Sequence, residues 1–388
     1  MRLLHTSDWH LGHTLRDQPR AMEHALFLGW LLQRLLTDRP DSLLLAGDIY
    51  DSANPPASAQ AMFYRFLSAA RRLRPDLDLV VIGGNHDSAA RLDAPHPLLE
   101  AIGVHLVGGL PRRGGGLDPD RLLAPLTDRD ENVRGWAVAM PFLRPADLPR
   151  LGAVDDPLIA GDAARYAEAL DAARARRKPG QALVALGHCF MGGGRTSDRS
   201  ERKVLGGNQH ALPVDVFPDD VAYVALGHLH LAQAVGGQDR VRYCGSPLPL
   251  SMAEAGYPHQ VLRVELRGPD LVAVDPVRTP RPVEFLRLPE GGPQPLDAVE
   301  ARLRELPDAP EDQPAWRRPF LEVRVQLDGP TPDLRRRIEG ALVGKGARLV
   351  RLEATRGGDG SALADPDPQA RLTQLEPEAV YRRRWARD

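Results

Sequence analysis

Five short strings in this chain set carboxylate, imidazole and amide side chains close together: Asp8-x-His10, Gly47-Asp48-x-x-Asp51, Gly84-Asn85-His86-Asp87, Gly187-His188 and Gly227-His228-x-His230. Mixed oxygen and nitrogen ligation suits Mn²⁺, Fe²⁺ or Zn²⁺ better than Mg²⁺ or Ca²⁺, and the lack of cysteine ligands argues against a structural zinc site. Two divalent ions about 3.5–4 Å apart need a shared anionic ligand. Asp48, held centrally by the glycine and the strand before it, is the natural bridge. Any one histidine is more simply read as a core or capping residue, and that reading is retained for His5, His13, His24, His96, His105, His210 and His259. His13 lies near enough to His10 to line the same site. Five such strings, each directly behind an apolar run and most opened by glycine, are not explained that way.

The elements that must position these residues alternate along the chain. Leu79 to Ile82 has no polar residue, which fits a strand covered on both faces in a mostly parallel sheet, and Gly83 and Gly84 turn the backbone sharply behind it. The carboxyl edge of such a sheet is where open α/β folds build their sites. Strands are likewise expected at Leu3 and Leu4, Ser42–Ala46, Leu183–Leu186 and Val221–Leu226, each ending in one of the strings. Helices are expected over Ala21–Leu36, Ser58–Leu73 and Ala163–Arg177 from apolar residues at helical spacing. From Gly108 to Pro149 only Trp136–Met140 resembles a strand, so insertion loops are expected there. Tyr243–Pro247 and Val261–Leu266 read as closing strands. The whole predicts an α/β domain with one mainly parallel sheet.

The chain has 388 residues, enough for more than one domain, and a formal net charge of −2, so any contact with nucleic acid must use a local basic patch. Cys189 and Cys244 are its 2 cysteines, too few for a disulfide framework and in keeping with a reducing compartment. Cys189 follows His188 directly and is read as a buried, inert thiol. The first residues lack the apolar core of a signal peptide and no run approaches a membrane span, so cytoplasmic residence without membrane contact is expected.

Beyond residue 275 no further Asp/His string occurs. Val283–Leu288 and Phe320–Leu327 alternate as strands, Leu296–Leu306 and Asp333–Val343 read as amphipathic helices, and a last strand is expected at Arg348–Leu352. The expected domains are residues 1–275, a small α+β domain over 276–356, and a linker with a C-terminal helix over 357–388. Leu372, Leu375, Val380, Tyr381 and Trp385 would form an apolar face on that helix, suited to docking a partner.

The five strings, in this order, resemble the signature of the metallophosphoesterase superfamily, also called calcineurin-like. More narrowly, His5-Thr6-Ser7-Asp8-Trp9-His10-Leu11-Gly12, Gly47-Asp48-Ile49-Tyr50-Asp51 with Asn54-Pro55-Pro56, and Gly227-His228-Leu229-His230 with Val241–Pro247 resemble the SbcD family of nuclease subunits. Met252-Ala253-Glu254 departs from that pattern, which has an aromatic and an acidic residue there. The resemblance implies a metallophosphoesterase-type β-sheet core flanked by helices, followed by a capping α+β domain. It implies two divalent ions, Mn²⁺ foremost, one held by Asp8, His10, Asp48 and His230 and the other by Asp48, Asn85, His188 and His228. It implies in-line attack of an activated water on phosphorus, with His86 as general acid or phosphate-orienting group and Asp87 or Asp51 holding its ring.

The resemblance further implies DNA as substrate, cut from its ends and within single strands in repair, recombination and replication. The partner would be an SbcC-type ATPase, with a homodimer inside a heterotetramer. The alternative is a stand-alone phosphoesterase acting on nucleotides or phosphoproteins. Ser52-Ala53-Asn54 stands where protein phosphatases of the superfamily carry an arginine, which disfavours it. Arg195, Arg199, Arg202 and Lys203 form a basic segment that would track DNA phosphates, although Asp198 and Glu201 interrupt it.

Overall fold

A computed structural model describes residues 1–152, 154–195 and 211–356. Apolar residues alternate to both sides of the first strands: Leu4, Leu43, Leu45, Leu79 and Val81 face one way, and Leu3, Leu44, Ala46, Val80 and Ile82 the other. These strands, Arg2–Thr6, Ser42–Ala46, Asp78–Ile82 and Val104–Val107, pair in parallel. Gln260–Arg267 and Asp270–Arg278 complete a six-stranded sheet as antiparallel neighbours on the Arg2–Thr6 edge.

The single sheet expected from the sequence is two sheets. Ala182–His188 and Tyr223–Gly227 do not join the first sheet; with Val133–Ala139, Leu123–Thr127, Gln233–Val235 and Gln238–Tyr243 they build a second one of six strands. The reason lies in side-chain size. Ala124, Ala137, Ala139, Ala182 and Ala225 present short side chains to the first sheet, so the two sheets bury one core between them. Helices cover the outer faces: Ala21–Thr37 and Ala57–Leu73 bury Phe27, Leu31, Phe63 and Phe66 on the first sheet, and Pro157–Arg176 buries Tyr166, Ala169, Leu170 and Ala173 on the second.

Two further expectations change. The 108–149 stretch is not only loop: Leu123–Thr127 and Val133–Ala139 pair antiparallel, with Pro125 opposite Trp136. Leu123–Thr127 is an edge strand, where a proline without an N–H is tolerated, and that proline hid the strand from pattern reading. The third long helix starts before Ala163 because Asp156 caps it, its carboxylate accepting from the N–H of Leu158 at 2.9 Å and of Ile159 at 3.1 Å. Tyr243 ends its strand, and Cys244–Pro247 continue as loop.

The chain divides into two compact units, Met1–Phe285 with Asp312–Phe320, and Leu286–Glu311 with the residues from Leu321. The expected boundary at 275 falls within the Asp270–Arg278 strand. In the second unit, helices Leu296–Arg304 and Leu334–Ala341 share a core with Leu321, Val323 and Val325 of the Phe320–Leu327 strand, an α+β arrangement. Arg348–Arg356 pairs with that same strand. The linker and terminal helix expected over 357–388, with Leu372, Leu375, Val380, Tyr381 and Trp385, lie outside the described residues. Among the described residues no helix is long and apolar enough to cross a membrane.

Candidate metal centre

The site is built where strands of both sheets end. Asp8, His10, Asp48 and His228 adopt φ of 54°, 47°, 48° and 102°, a left-handed region that costs a residue with a side chain of order 1–3 kcal/mol. The neighbouring loops hold them there. The Asp8 N–H donates to the Gly47 carbonyl at 3.0 Å, the His10 N–H to the Asp48 carbonyl at 3.0 Å and the Leu11 N–H to the Ile49 carbonyl at 2.8 Å, so the first two loops continue the pairing of their strands. Between Asp8 and His10, Trp9 is buried against the edges of Phe27, Phe63 and Phe66 and donates to Thr6 Oγ1 at 2.9 Å. That anchor fixes both flanking side chains on the opposite side.

The side chains converge on two oxygens. Asp48 Oδ2 lies 3.5 Å from His10 Nε2 and 3.3 Å from His188 Nε2, and Asn85 Oδ1 lies 2.9 Å from His188 Nε2 and 3.0 Å from His228 Nδ1. Ligand atoms of Asp8, His10 and His230 lie within 4.8 Å of one another, as do those of Asp8, Asp48 and His188, and those of His10, Asp48 and His86. The seven expected ligand residues, Asp8, His10, Asp48, Asn85, His188, His228 and His230, are therefore brought to one place. His10 Nε2 is buried and makes no hydrogen bond, an orphaned lone pair that a metal would satisfy.

Ring orientation is set from behind. His188 Nδ1 donates to the Ala46 carbonyl at 2.8 Å, and since a carbonyl only accepts, Nε2 keeps its lone pair. His10 Nδ1 lies 3.3 Å from Asp51 Oδ1, and His230 Nδ1 lies 3.0 Å from the buried Glu254 Oε1. Burial opposes ionisation of Asp48, yet His188, His86 and His10 outweigh it and hold the carboxyl well below its usual range. Burial likewise opposes charge on His188, but Asp48 raises it to about 9. His228 is pushed down to about 3 by burial and by His188.

The remaining expected residues are placed differently from one another. His86 is half-buried, and its Nδ1 donates to the Asp51 backbone carbonyl at 2.8 Å. Neither carboxylate holds the His86 ring: Asp87 turns inward and accepts the N–H groups of Ile49, Tyr50 and Gly84 at 3.1, 3.0 and 2.9 Å, and the Asp51 carboxylate faces His10. Asp87 thus fastens the loops that carry Asp48 and Asn85. Burial pushes the Cys189 thiol up to about 12, so it stays protonated at neutral pH. Burial keeps His13 neutral, its pKa about 3, with Asp51 and His10 nearby. The Arg195 N–H donates to Gln233 Oε1 at 2.7 Å; Arg199, Arg202, Lys203 and His210 lie outside the described residues.

Sequence reading missed two polar neighbours of the ligands. Ser7 donates to Asp8 Oδ2, and Glu254 faces His230. Ser7 is adjacent to its ligand and was legible by position; Glu254 was noticed only as part of a divergent tripeptide.

A family model described as calcineurin-like phosphoesterase matches residues 1–232, and one described as type 5 capsule protein repressor C-terminal domain matches residues 280–388. The chain is 43% identical over 385 residues to the SbcD subunit of nuclease SbcCD from Rhodobacter capsulatus, covering 98% of this chain and 93% of that protein. It is 31% identical over 402 residues to the SbcD subunit of nuclease SbcCD from Escherichia coli, covering 100% and 93%. The protein of the same name from Bacillus subtilis is 35% identical over 271 residues, covering 69% and 66%.

Proposed function

The chain belongs to the SbcD family of calcineurin-like phosphoesterases, and from that premise we propose that it is a metal-dependent nuclease that hydrolyses DNA phosphodiesters alongside an SbcC-type ATPase. The observation that carries the reading is the shared Asp48 carboxylate, which has His10 on one side and His188 on the other. Asp8, His10, Asp48 and His230 would hold one divalent ion, and Asp48, Asn85, His188 and His228 a second. Nitrogen-rich ligation favours Mn²⁺ over Mg²⁺. Such ions, when bound, make water a nucleophile at neutral pH and offset the charge that develops on phosphorus.

The chain's own residues supply the rest. Buried carboxylates Asp8 and Asp48 are kept anionic at the ends of two parallel strands, so the site binds cations before it binds the phosphate. His86 is committed through Nδ1 to the Asp51 carbonyl, which leaves Nε2 to orient the phosphate or pass a proton to the leaving oxygen. Asp51 and Asp87 position, the first through His10 and the second through the loop backbone.

For the rest of the assembly we propose a homodimer within a heterotetramer with the ATPase, supported by the naming of the relatives as subunits of SbcCD. Cytoplasmic residence, beside chromosomal DNA, is supported by two free cysteines. The test is cleavage of end-labelled duplex and single-stranded DNA by metal-stripped protein refilled with Mn²⁺, with and without the ATPase. Hydrolysis that persists in excess chelator, or that is confined to mononucleotides, would overturn the reading.

A further inference from the structure

We propose that Glu254 is a positioning residue of the metal centre, acting through His230; the inference rests on the ligand assignment above. Glu254 lies in the short turn Met252–Gly256 and is 0% exposed. Both of its oxygens are engaged. Oε1 stands 3.0 Å from His230 Nδ1, and Oε2 accepts the Leu250 N–H at 2.8 Å. A carboxylate only accepts, so the ring atom facing it carries the proton. A neutral imidazole has a single N–H, which leaves the Nε2 lone pair of His230 for a metal.

The carboxylate is itself anchored. Pro249, next to Leu250, accepts through its carbonyl from the guanidinium of Arg20. Arg20 is 1% exposed and is forked onto Glu23 by bonds of 2.8 and 2.7 Å. The Ser246 N–H donates to the His230 carbonyl at 3.1 Å, so the same loop also grips the backbone of the ligand. His230 then stands edge-on to His10, with ring centroids 5.2 Å apart, inside the Asp8, His10 and His230 group. Satisfying Leu250 alone would need one oxygen; the second is turned to a ligand. The first long helix therefore reaches His230 through Arg20, the Pro249–Leu250 segment and Glu254, and this link aims His230 Nε2 for its ion.

Glu254→Gln tests this in the full-length chain. The amide keeps the shape but has one oxygen, so either the Leu250 N–H or the His230 Nδ1–H loses its acceptor. Mn²⁺ binding after metal stripping, read by calorimetry and electron paramagnetic resonance, should show two ions on the wild type. In the variant one ion should weaken about 10–100-fold while the other holds, with Glu254→Asp in between. Two ions at wild-type affinity in Glu254→Gln would overturn the proposal, and so would equal weakening of both, the mark of general loosening. A wild type that binds no Mn²⁺ would instead sink the ligand assignment beneath it. Should the variants fail to fold, ¹⁵N imidazole spectra of the metal-free wild type decide, with His230 identified by its loss in His230→Asn. Protonated Nδ1 supports the proposal; protonated Nε2 with bare Nδ1 overturns it.

Discussion

Gly84 lies so close to Asp48 that a Cβ built on it would overlap both Asp48 Oδ1 and the Asp48 backbone nitrogen. The glycine opening the third string is thus not only a turn former; it makes room for the carboxylate that two ions would share. Gly84→Ala should displace Asp48, and the backbone atoms on both sides leave little room to relax. Cleavage of a small diester should fall to background while far-ultraviolet circular dichroism keeps its shape. Retained Mn²⁺ affinity and rate in Gly84→Ala would show that the pocket relaxes around the methyl group.

Asp48→Asn and His10→Ala should both abolish DNA hydrolysis, but unequally for metal. Asp48 Oδ2 approaches ligands of both proposed ions, whereas His10 serves one. Metal content after gel filtration should therefore drop further in Asp48→Asn than in His10→Ala. The reverse order, or wild-type cleavage by the Asp48 variant, removes the shared-carboxylate model.

His86→Ala should keep both ions and bind DNA, yet cleave about 10²–10⁴-fold more slowly, because the imidazole would handle a proton or a phosphate oxygen. The Nδ1 bond to the Asp51 carbonyl costs nothing vital when it is lost, since that carbonyl is near solvent beside a partly exposed side chain. Loss of metal from His86→Ala would assign the residue to the ligand set instead.

Acid should destabilise the fold for a reason separate from the centre. Burial pushes His5 from 6.5 down to about 3 and His105 from 6.5 down to about 4. As pH falls below 6.5 the unfolded chain takes up protons that these folded rings refuse, so their contribution is fully present above pH 6.5 and is lost toward pH 4. Urea midpoints should be level from pH 7 to 8 and then decline as pH drops. His5→Asn keeps a polar atom near the Tyr223 hydroxyl, which His5 Nδ1 meets at 2.8 Å, and should flatten that decline. An unchanged slope would place the titrating group elsewhere.

What the sequence determined by itself is what short-range chemistry determines. Ser42–Ala46 and Phe320–Leu327 have the bounds their patterns predict, because side-chain alternation and burial are written residue by residue. The five polar strings were legible for the same reason: a glycine or a sharp turn directly behind an apolar strand delivers its neighbours to the sheet edge. Tertiary structure decided the rest. Whether Ala182–His188 extends the first sheet or founds a second depends on how short alanine side chains pack across a shared core, and no local pattern carries that. Asp87 and Asp51 look alike in sequence, yet one accepts three backbone N–H groups and the other faces His10, because each carboxylate goes to whichever donors the folded loops leave unpaired. Glu254 reaches His230 across 24 residues. Hydrogen-bond partners at that separation follow from where the folded backbone runs, and pattern reading sees only neighbours along the chain.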